Sequence, residues 1–65
     1  MIKELVSLRH DQKKSRIEVA KAMGVSDVSL WHYETGKRSV TLDKLVLWAA
    51  ALGYDVVLTP KEIKL

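Results

Sequence analysis

The feature that most constrains this chain is a helix stop followed at once by a helix start, at Gly24, Val25 and Ser26. Glycine takes the left-handed conformation that ends a helix without the steric cost of a Cβ atom. A serine hydroxyl accepts a hydrogen bond from the free amides at a helix start. The pattern therefore predicts two short helices joined by a tight turn, over residues 16–23 and from residue 27 to near residue 35. A capping box of Ser15 and Glu18 is predicted to start the first of them.

Apolar residues at three- and four-residue spacing predict one more helix on each side of this pair. The first covers residues 1–10, with Leu5 on its apolar face. The other follows Thr41, a further N-cap candidate, and ends at Gly53. Its broad apolar stripe contains Leu42, Leu45, Val46, Ala49 and Leu52. The expected fold is all-α, with four helices in one domain over residues 1–53.

The hydrophobic period changes from about 3.6 to about 2 after Gly53. Tyr54, Val56 and Leu58 then lie on one side of an alternating segment, which predicts a β-strand over residues 54–59. A single strand leaves its backbone donors and acceptors unpaired, and no other segment of the chain has a strand pattern. A second copy of the chain is therefore the expected strand partner.

Size and charge add to this expectation. A domain of 65 residues buries only about 60% of the surface that its unfolded chain exposes. Because the chain has no cysteine to form a disulfide, association is the expected source of further stability. The net charge is +3, and the surplus lies in the first forty residues, which contain eight basic and five acidic side chains. This surplus agrees with a polyanionic partner but is too small to identify one.

Several functional classes lack their sequence signals. The chain has no acid–base pair, nucleophile elbow or phosphate-binding loop, so we expect no enzyme activity. His10 and His32, without any cysteine, give no metal-ligand spacing, and we expect neither a metal nor a cofactor. No apolar run reaches the roughly 18 residues of a membrane span, and the N-terminus is unlike a secretory signal. A cytoplasmic protein with no membrane contact is expected.

The segment from Ser15 to Ser26, S-R-I-E-V-A-K-A-M-G-V-S, resembles the helix-turn-helix core of the lambda-repressor-like (Cro/XRE) family. Two further family motifs follow at the right spacing, E-T-G-K at residues 34–37 and A-L-G at residues 51–53. The resemblance covers residues 5–53, and the ordered set is more specific than any one motif. Lys13 and Lys14 depart from the family pattern of a glycine and an apolar residue, which leaves the path of residues 11–14 open.

The resemblance implies that the second helix of the motif enters the major groove of DNA. The family's base-reading positions match Asp27, Val28, Trp31 and His32, and its phosphate-holding positions match Arg16, Ser29, Lys37 and Arg38. An aspartate can accept from cytosine N4, a valine can touch a thymine methyl, and a histidine can hydrogen-bond a purine edge. Trp31 departs from the smaller or hydrogen-bonding residue usual in the family. Packing on the protein or in a partner interface is its alternative role.

Two further matches imply structural roles. Arg9 and Glu34 match positions where several family members have an interior ion pair between the first helix and the end of the third. A surface phosphate contact is the alternative for Arg9. Ala20 matches the small residue that lets the two helices of the motif approach closely.

The C-terminal segment separates this chain from the many family members that continue with a fifth helix. The predicted strand resembles the subset of antitoxins and small regulators that dimerise through an intermolecular ribbon. This likeness implies a dimerisation strand and tail over residues 54–65, with contacts from Trp48, Tyr54, Val56 and Leu58; the core is the alternative for Trp48.

The implied function is that of a small phage or prokaryotic transcription repressor, acting at the nucleoid as a homodimer on a palindromic operator. Its partner is then double-stranded DNA with an inverted repeat. The alternative is an antitoxin whose main partner is a toxin protein.

Overall fold

The computed structural model describes residues 1–57. Within that part the chain forms four helices, none of which is long and apolar enough to cross a membrane. They are α1 (Ile2–Asp11), α2 (Arg16–Met23), α3 (Asp27–Glu34) and α4 (Leu42–Ala51). The prediction of an all-α fold with four helices is confirmed, and the predicted boundaries agree with the observed ones to within one residue.

The starts of α2, α3 and α4 are held by the predicted N-cap side chains. The Ser15 hydroxyl accepts from the Glu18 amide at 3.1 Å, and the Glu18 carboxylate accepts from the Ser15 amide at 3.3 Å, which completes the capping box. Ser26 and Thr41 cap α3 and α4 in the same way, each accepting from the amide three residues further on. Each bond satisfies an amide that has no partner inside its helix, a contribution of about 1 kcal/mol.

Gly24 makes the tight turn between α2 and α3 possible. Its φ of 74° lies in the left-handed region, where a side chain would be strained. The Gly24 amide donates to the Lys21 carbonyl at 3.1 Å, and the Val25 amide donates to the Ala20 carbonyl at 3.0 Å. These are the two bonds of a Schellman ending. The chain therefore leaves α2 with its last carbonyls satisfied and enters α3 directly at Ser26.

The core is formed by buried side chains from all four helices. Helix α2 packs against both α3 and α4, and α1 packs against α3. Leu30 and Trp48 lie at the centre with no exposed surface. The buried apolar residues are Leu5, Val19, Ala20, Met23, Leu30, Tyr33, Trp48, Ala49 and Leu52. Part of the predicted apolar stripe of α4 is not in this core, because Leu42 and Val46 stay exposed.

The structure corrects the assignment of Trp48 to the dimer contact. Its side chain has no exposed surface in a single chain, and its ring centroid lies 6.5 Å from that of Tyr33 on α3. The Trp48 Nε1–H has no hydrogen-bond partner among the described residues. A second copy cannot contact a side chain that this chain's own helices already cover. The dimerisation role of Trp48 is therefore wrong, and the core alternative is correct.

The loop between α1 and α2 is fastened to the end of α4. The Lys14 Nζ donates to the Ala51 carbonyl at 3.2 Å, and the Gln12 Nε2 donates to the Leu52 carbonyl at 2.9 Å. The last carbonyls of a helix lack partners inside it and carry partial negative charge, so an ammonium group is favoured there. The departure from the family pattern at Lys14 thus gives this loop polar bonds that hold α4.

The chain after α4 runs without regular secondary structure through residues 54–57. The Tyr54 amide donates to the Ala49 carbonyl at 2.9 Å, and Val56 packs against the core. Tyr54 and Val57 are 51% and 75% exposed. Leu58 and the rest of the predicted strand and tail lie outside the described residues. The intermolecular strand stays a prediction.

Candidate nucleic-acid interface

Helix α3 has one side in the core and one side in solvent. Leu30 and Tyr33 are buried, whereas Val28 is 60% exposed. Trp31 and His32 are half-buried. At about 100° per residue, positions 27, 28, 31 and 32 lie on one side of a helix and positions 30 and 33 lie opposite. The four predicted base-reading positions therefore share the outer side of α3, as readout in a groove requires.

The first residues of α2 and α3 form an ion pair. The Arg16 Nε lies 2.6 Å from the Asp27 Oδ1, and the Arg16 Nη2 lies 3.5 Å from the Asp27 Oδ2. Both side chains keep more than a third of their surface exposed, 36% and 37%. This hydrogen bond lowers the pKa of Asp27 and raises the pKa of Arg16. The sequence assigned the two residues to separate contacts, and the structure couples them.

Lys37 folds back over α3 after the helix has ended. Its Nζ lies 4.6 Å from the Trp31 ring centroid, within range of a cation–π interaction. The Trp31 and His32 ring centroids are 5.2 Å apart. The amides of Lys37 and Arg38 both donate to the His32 carbonyl, at 2.9 and 3.3 Å. The loop after α3 is therefore held against the end of the helix. Trp31 packs against Lys37 of the same chain, as its alternative role of packing on the protein predicts.

The predicted phosphate contacts lie at the two ends of α3. At its start, Ser29 is half-buried and its hydroxyl oxygen accepts from the Ser26 hydroxyl at 2.9 Å. Arg16 reaches the same end through its ion pair. Lys37 and Arg38 follow the other end and are exposed. A helix with its side chains is about 10–12 Å across, which fits the major groove of about 12 Å width.

Arg9 and Glu34 form the interior ion pair that the resemblance implied. The Arg9 Nε lies 2.8 Å from the Glu34 Oε2, and the Arg9 Nη2 lies 3.1 Å from the Glu34 Oε1. The Arg9 Nη1 donates to the Lys14 carbonyl at 3.2 Å. The two side chains are 11% and 8% exposed. Because all three guanidinium nitrogens bond inside the protein, Arg9 holds α1 to the end of α3 and does not reach a phosphate.

The remaining predicted dimer contacts border an apolar groove. Tyr54 and Val56 line this groove together with Leu5, Leu8 and Ala49, and it has a volume of about 340 Å³. Tyr54 and Val57 expose apolar surface beside it. Of the four predicted dimerisation residues, Tyr54 is therefore exposed and Val56 is half-buried; Trp48 is in the core and Leu58 lies outside the described residues.

Two features of this surface were not predicted. The first is the ion pair of Arg16 and Asp27. The sequence did contain a signal for it, because two residues of opposite charge stand at the first positions of two helices that a tight turn joins. The second is Ile17, an apolar residue 54% exposed in the first turn of α2, which no motif singled out. Among the described residues, histidines, aspartates and glutamates form no group of three that could hold a metal.

Comparison with known proteins agrees with this geometry. A family model described as helix-turn-helix, of the Cro/C1 type, matches residues 5–58 of the chain. No curated protein and no solved structure matches it. The matched region contains α2, the turn and α3, together with most of α1 and all of α4. The chain therefore belongs to the Cro/C1-type (XRE) helix-turn-helix family and is a transcription regulator that binds double-stranded DNA.

Proposed function

We propose that this protein represses transcription as a homodimer, with α3 of each subunit in the major groove of one half of an inverted-repeat operator. The observation that carries the proposal is the exposed outer side of α3. Val28 is 60% exposed there, and cationic residues lie at both ends of the helix. This arrangement lets side chains on the outer side reach base edges while cations beside the helix reach phosphates.

The roles of individual residues follow from their positions. Val28 contacts a thymine methyl, and His32 hydrogen-bonds a purine edge. Trp31 is half-buried with Lys37 over its ring, and it lies on the side of α3 that enters the groove. Ser29, Lys37 and Arg38 bind phosphates and fix the register of α3 on the duplex. Arg16, predicted to bind phosphate, and Asp27, predicted to read a base, form an ion pair at the start of α3.

Dimerisation rests on the C-terminal segment. Tyr54, Val56 and Leu58 are proposed to pair with the same residues of a second copy about a two-fold axis. The exposed Tyr54 ring and the adjoining apolar groove support an apolar contact at this place. A two-fold pair sets its recognition helices about 34 Å apart, one turn of DNA, so the target is an inverted repeat.

Repression requires only that the protein occupies its operator. A dimer bound across promoter DNA blocks access to it without any contact to the transcription machinery.

The negative charge of the DNA phosphates makes this binding depend on salt concentration. Four to six charged phosphate contacts per dimer, from Lys37 and Arg38 of each subunit with or without Arg16, give a slope of log affinity against log salt of about −3.6 to −5.4.

The experiment is selection of binding sites from duplexes with 20 to 24 randomised base pairs, followed by affinity measurements at several salt concentrations. An inverted repeat with half-sites one helical turn apart and a slope in that range is the expected result. The control variant is Lys3→Ala, which removes an exposed charge from α1, a helix that carries none of the proposed DNA contacts. Selection of no sequence, or an affinity that does not change with salt, would overturn the proposal.

A toxin protein as the main partner is the second candidate. The exposed apolar side chains of α4 favour it, because Leu42, Val46 and Leu47 are 62%, 45% and 41% exposed, and exposed apolar patches mark protein contacts. Co-expression with the product of an adjacent reading frame tests this role. Relief of growth arrest by the wild type but not by a Leu42→Asp/Val46→Asp variant is expected of an antitoxin. Equal growth with and without either form contradicts it.

A further inference from the structure

The Arg16 guanidinium is held at one edge only. Its Nε and Nη2 donate to the two oxygens of the Asp27 carboxylate, at 2.6 and 3.5 Å. Its Nη1 makes no hydrogen bond within residues 1–57, and 36% of the side chain is exposed. A guanidinium has five N–H donors in a planar fork. The edge formed by Nη1 and Nη2 therefore keeps donors for a ligand.

The Asp27 carboxylate is occupied in the same geometry. Both of its oxygens accept from Arg16. The carboxylate therefore has less capacity to accept a hydrogen bond from a cytosine amino group. The two residues are eleven apart in the sequence, and each opens one helix of the motif. Since the pair lies at the start of α3, its free donors lie at one end of the surface that faces DNA.

We propose that Arg16 and Asp27 act as one reading unit, in which Asp27 positions the guanidinium and Arg16 recognises a guanine in each half-site. This inference rests on the proposed DNA-binding function. The free edge of a guanidinium matches the O6 and N7 acceptors of guanine in the major groove. The carboxylate holds the side chain in one orientation before binding, which reduces the entropy lost when the contact forms.

Charge decides between guanine and a phosphate as the ligand. The carboxylate at 2.6 Å offsets most of the positive charge of Arg16 and would itself repel a phosphate. Guanine O6 and N7 are neutral acceptors, and they bind the donor fork without needing net positive charge. A paired arginine thus loses attraction for the DNA backbone and keeps its hydrogen-bonding pattern. Lys37 and Arg38, which have no carboxylate partner among the described residues, remain the phosphate contacts.

The test uses duplexes selected from the randomised library by the wild type. These are compared with copies that carry 7-deazaguanine, which lacks the N7 acceptor, at each guanine of the half-site in turn. The wild type is expected to lose about tenfold in affinity at one symmetric guanine position, within the discrimination of a bidentate arginine contact. Arg16→Met, which keeps a long side chain but has no donor, and Asp27→Ala should bind normal and modified duplexes alike at that position, while their preferences elsewhere stay unchanged.

The salt dependence separates this role from a structural one. If Arg16 does not pair with phosphate, Lys37 and Arg38 of two subunits give a slope of about −3.6, and Arg16→Ala/Asp27→Ala, which removes no net charge, leaves it unchanged. Asp27→Asn releases the charge of Arg16 toward the backbone, so its slope should steepen by up to about 1.8 per dimer. Lys37→Ala, the matched control, should flatten the slope by about 1.8 and leave the guanine preference intact.

Each other result has a definite meaning. An unchanged guanine preference in Arg16→Met and Asp27→Ala would overturn the reading unit, as would a slope that flattens by about 1.8 in Arg16→Ala/Asp27→Ala. An equal loss at every base position would show that the pair serves only the fold, and circular dichroism of each variant checks this. If the wild type selects no sequence at all, the proposed function itself fails, and the inference fails with it.

Discussion

Neutralising the carboxylate of Glu34 should lower the free energy of unfolding of this domain more than neutralising any exposed carboxylate does. Glu34→Gln keeps the size of the side chain but removes the charge that faces Arg9 at 2.8 Å. The two side chains are 11% and 8% exposed, so little water reaches the guanidinium left behind. Removing one partner of a buried pair costs about 3–5 kcal/mol. Because glutamine still offers one acceptor oxygen, we expect the lower end, about 3 kcal/mol.

That loss is large for a chain of this size. At about 0.05–0.15 kcal/mol per residue, a domain of this length has a free energy of unfolding of roughly 3–10 kcal/mol. A change of about 3 kcal/mol therefore removes a third or more of the stability. For domains of about 60–100 residues, each kcal/mol lowers Tm by about 4–8 °C, so the expected fall is about 12–24 °C.

The measurement is thermal and urea unfolding followed by circular dichroism, at one fixed protomer concentration because association adds to apparent stability. Asp27→Asn is the matched control: it also neutralises a carboxylate paired with arginine, but that pair is more than a third exposed and solvent screens it. The double variant Arg9→Met/Glu34→Leu should recover most of the loss, since it leaves no charge unpaired. A loss below about 1 kcal/mol for Glu34→Gln, or one equal to that of the control, would refute the assignment of a buried pair.

Four further predictions follow from the same structure. Val28→Ala and His32→Ala should each weaken binding to the selected operator by about 1–3 kcal/mol while leaving the unfolding curve unchanged, which fluorescence anisotropy and circular dichroism together test. Lys14→Met should lower the free energy of unfolding by about 1 kcal/mol in urea titrations, since it removes one of the two side-chain donors to the end of α4. Tyr54→Asp should convert the proposed dimer to a folded monomer in sedimentation experiments, and a dimer of unchanged affinity would contradict the proposed contact. The pKa of Asp27 is lowered in the folded protein, so ionised Asp27 stabilises the fold at pH values above its unfolded pKa of about 3.9, and this stabilisation is lost as the pH falls through the lower folded pKa. Asp27→Asn should therefore flatten this part of the acid-unfolding profile. An NMR titration of Asp27 with a midpoint near 3.9 would contradict this prediction.

The helices of this domain could be predicted because their signals are local. Ser15 with Glu18, Ser26 and Thr41 each act on amides within the same helical turn, and Gly24 ends α2 through its own backbone conformation. Interactions over three to five residues are visible in a linear sequence. For the same reason the outer side of α3 could be predicted, since residues 27, 28, 31 and 32 follow from its period.

The contacts between helices could be predicted only where a family pattern recorded them. The pair of Arg9 and Glu34 was found in this way, although 25 residues separate its partners. Trp48 was assigned wrongly, because periodicity shows that a side chain lies on the apolar stripe of α4 and does not show whether its own chain or a second copy covers it.

The sequence alone therefore determined where the helices begin and end, the sharp turn between α2 and α3, and which residues lie on the outer side of α3. The tertiary structure decided that Lys14 bonds to the end of α4, that Trp48 fills the core, and that Arg16 and Asp27 hold one another. The reason is physical: capping and periodicity act within one or two helical turns, whereas these contacts join residues that only the packing of the helices brings together.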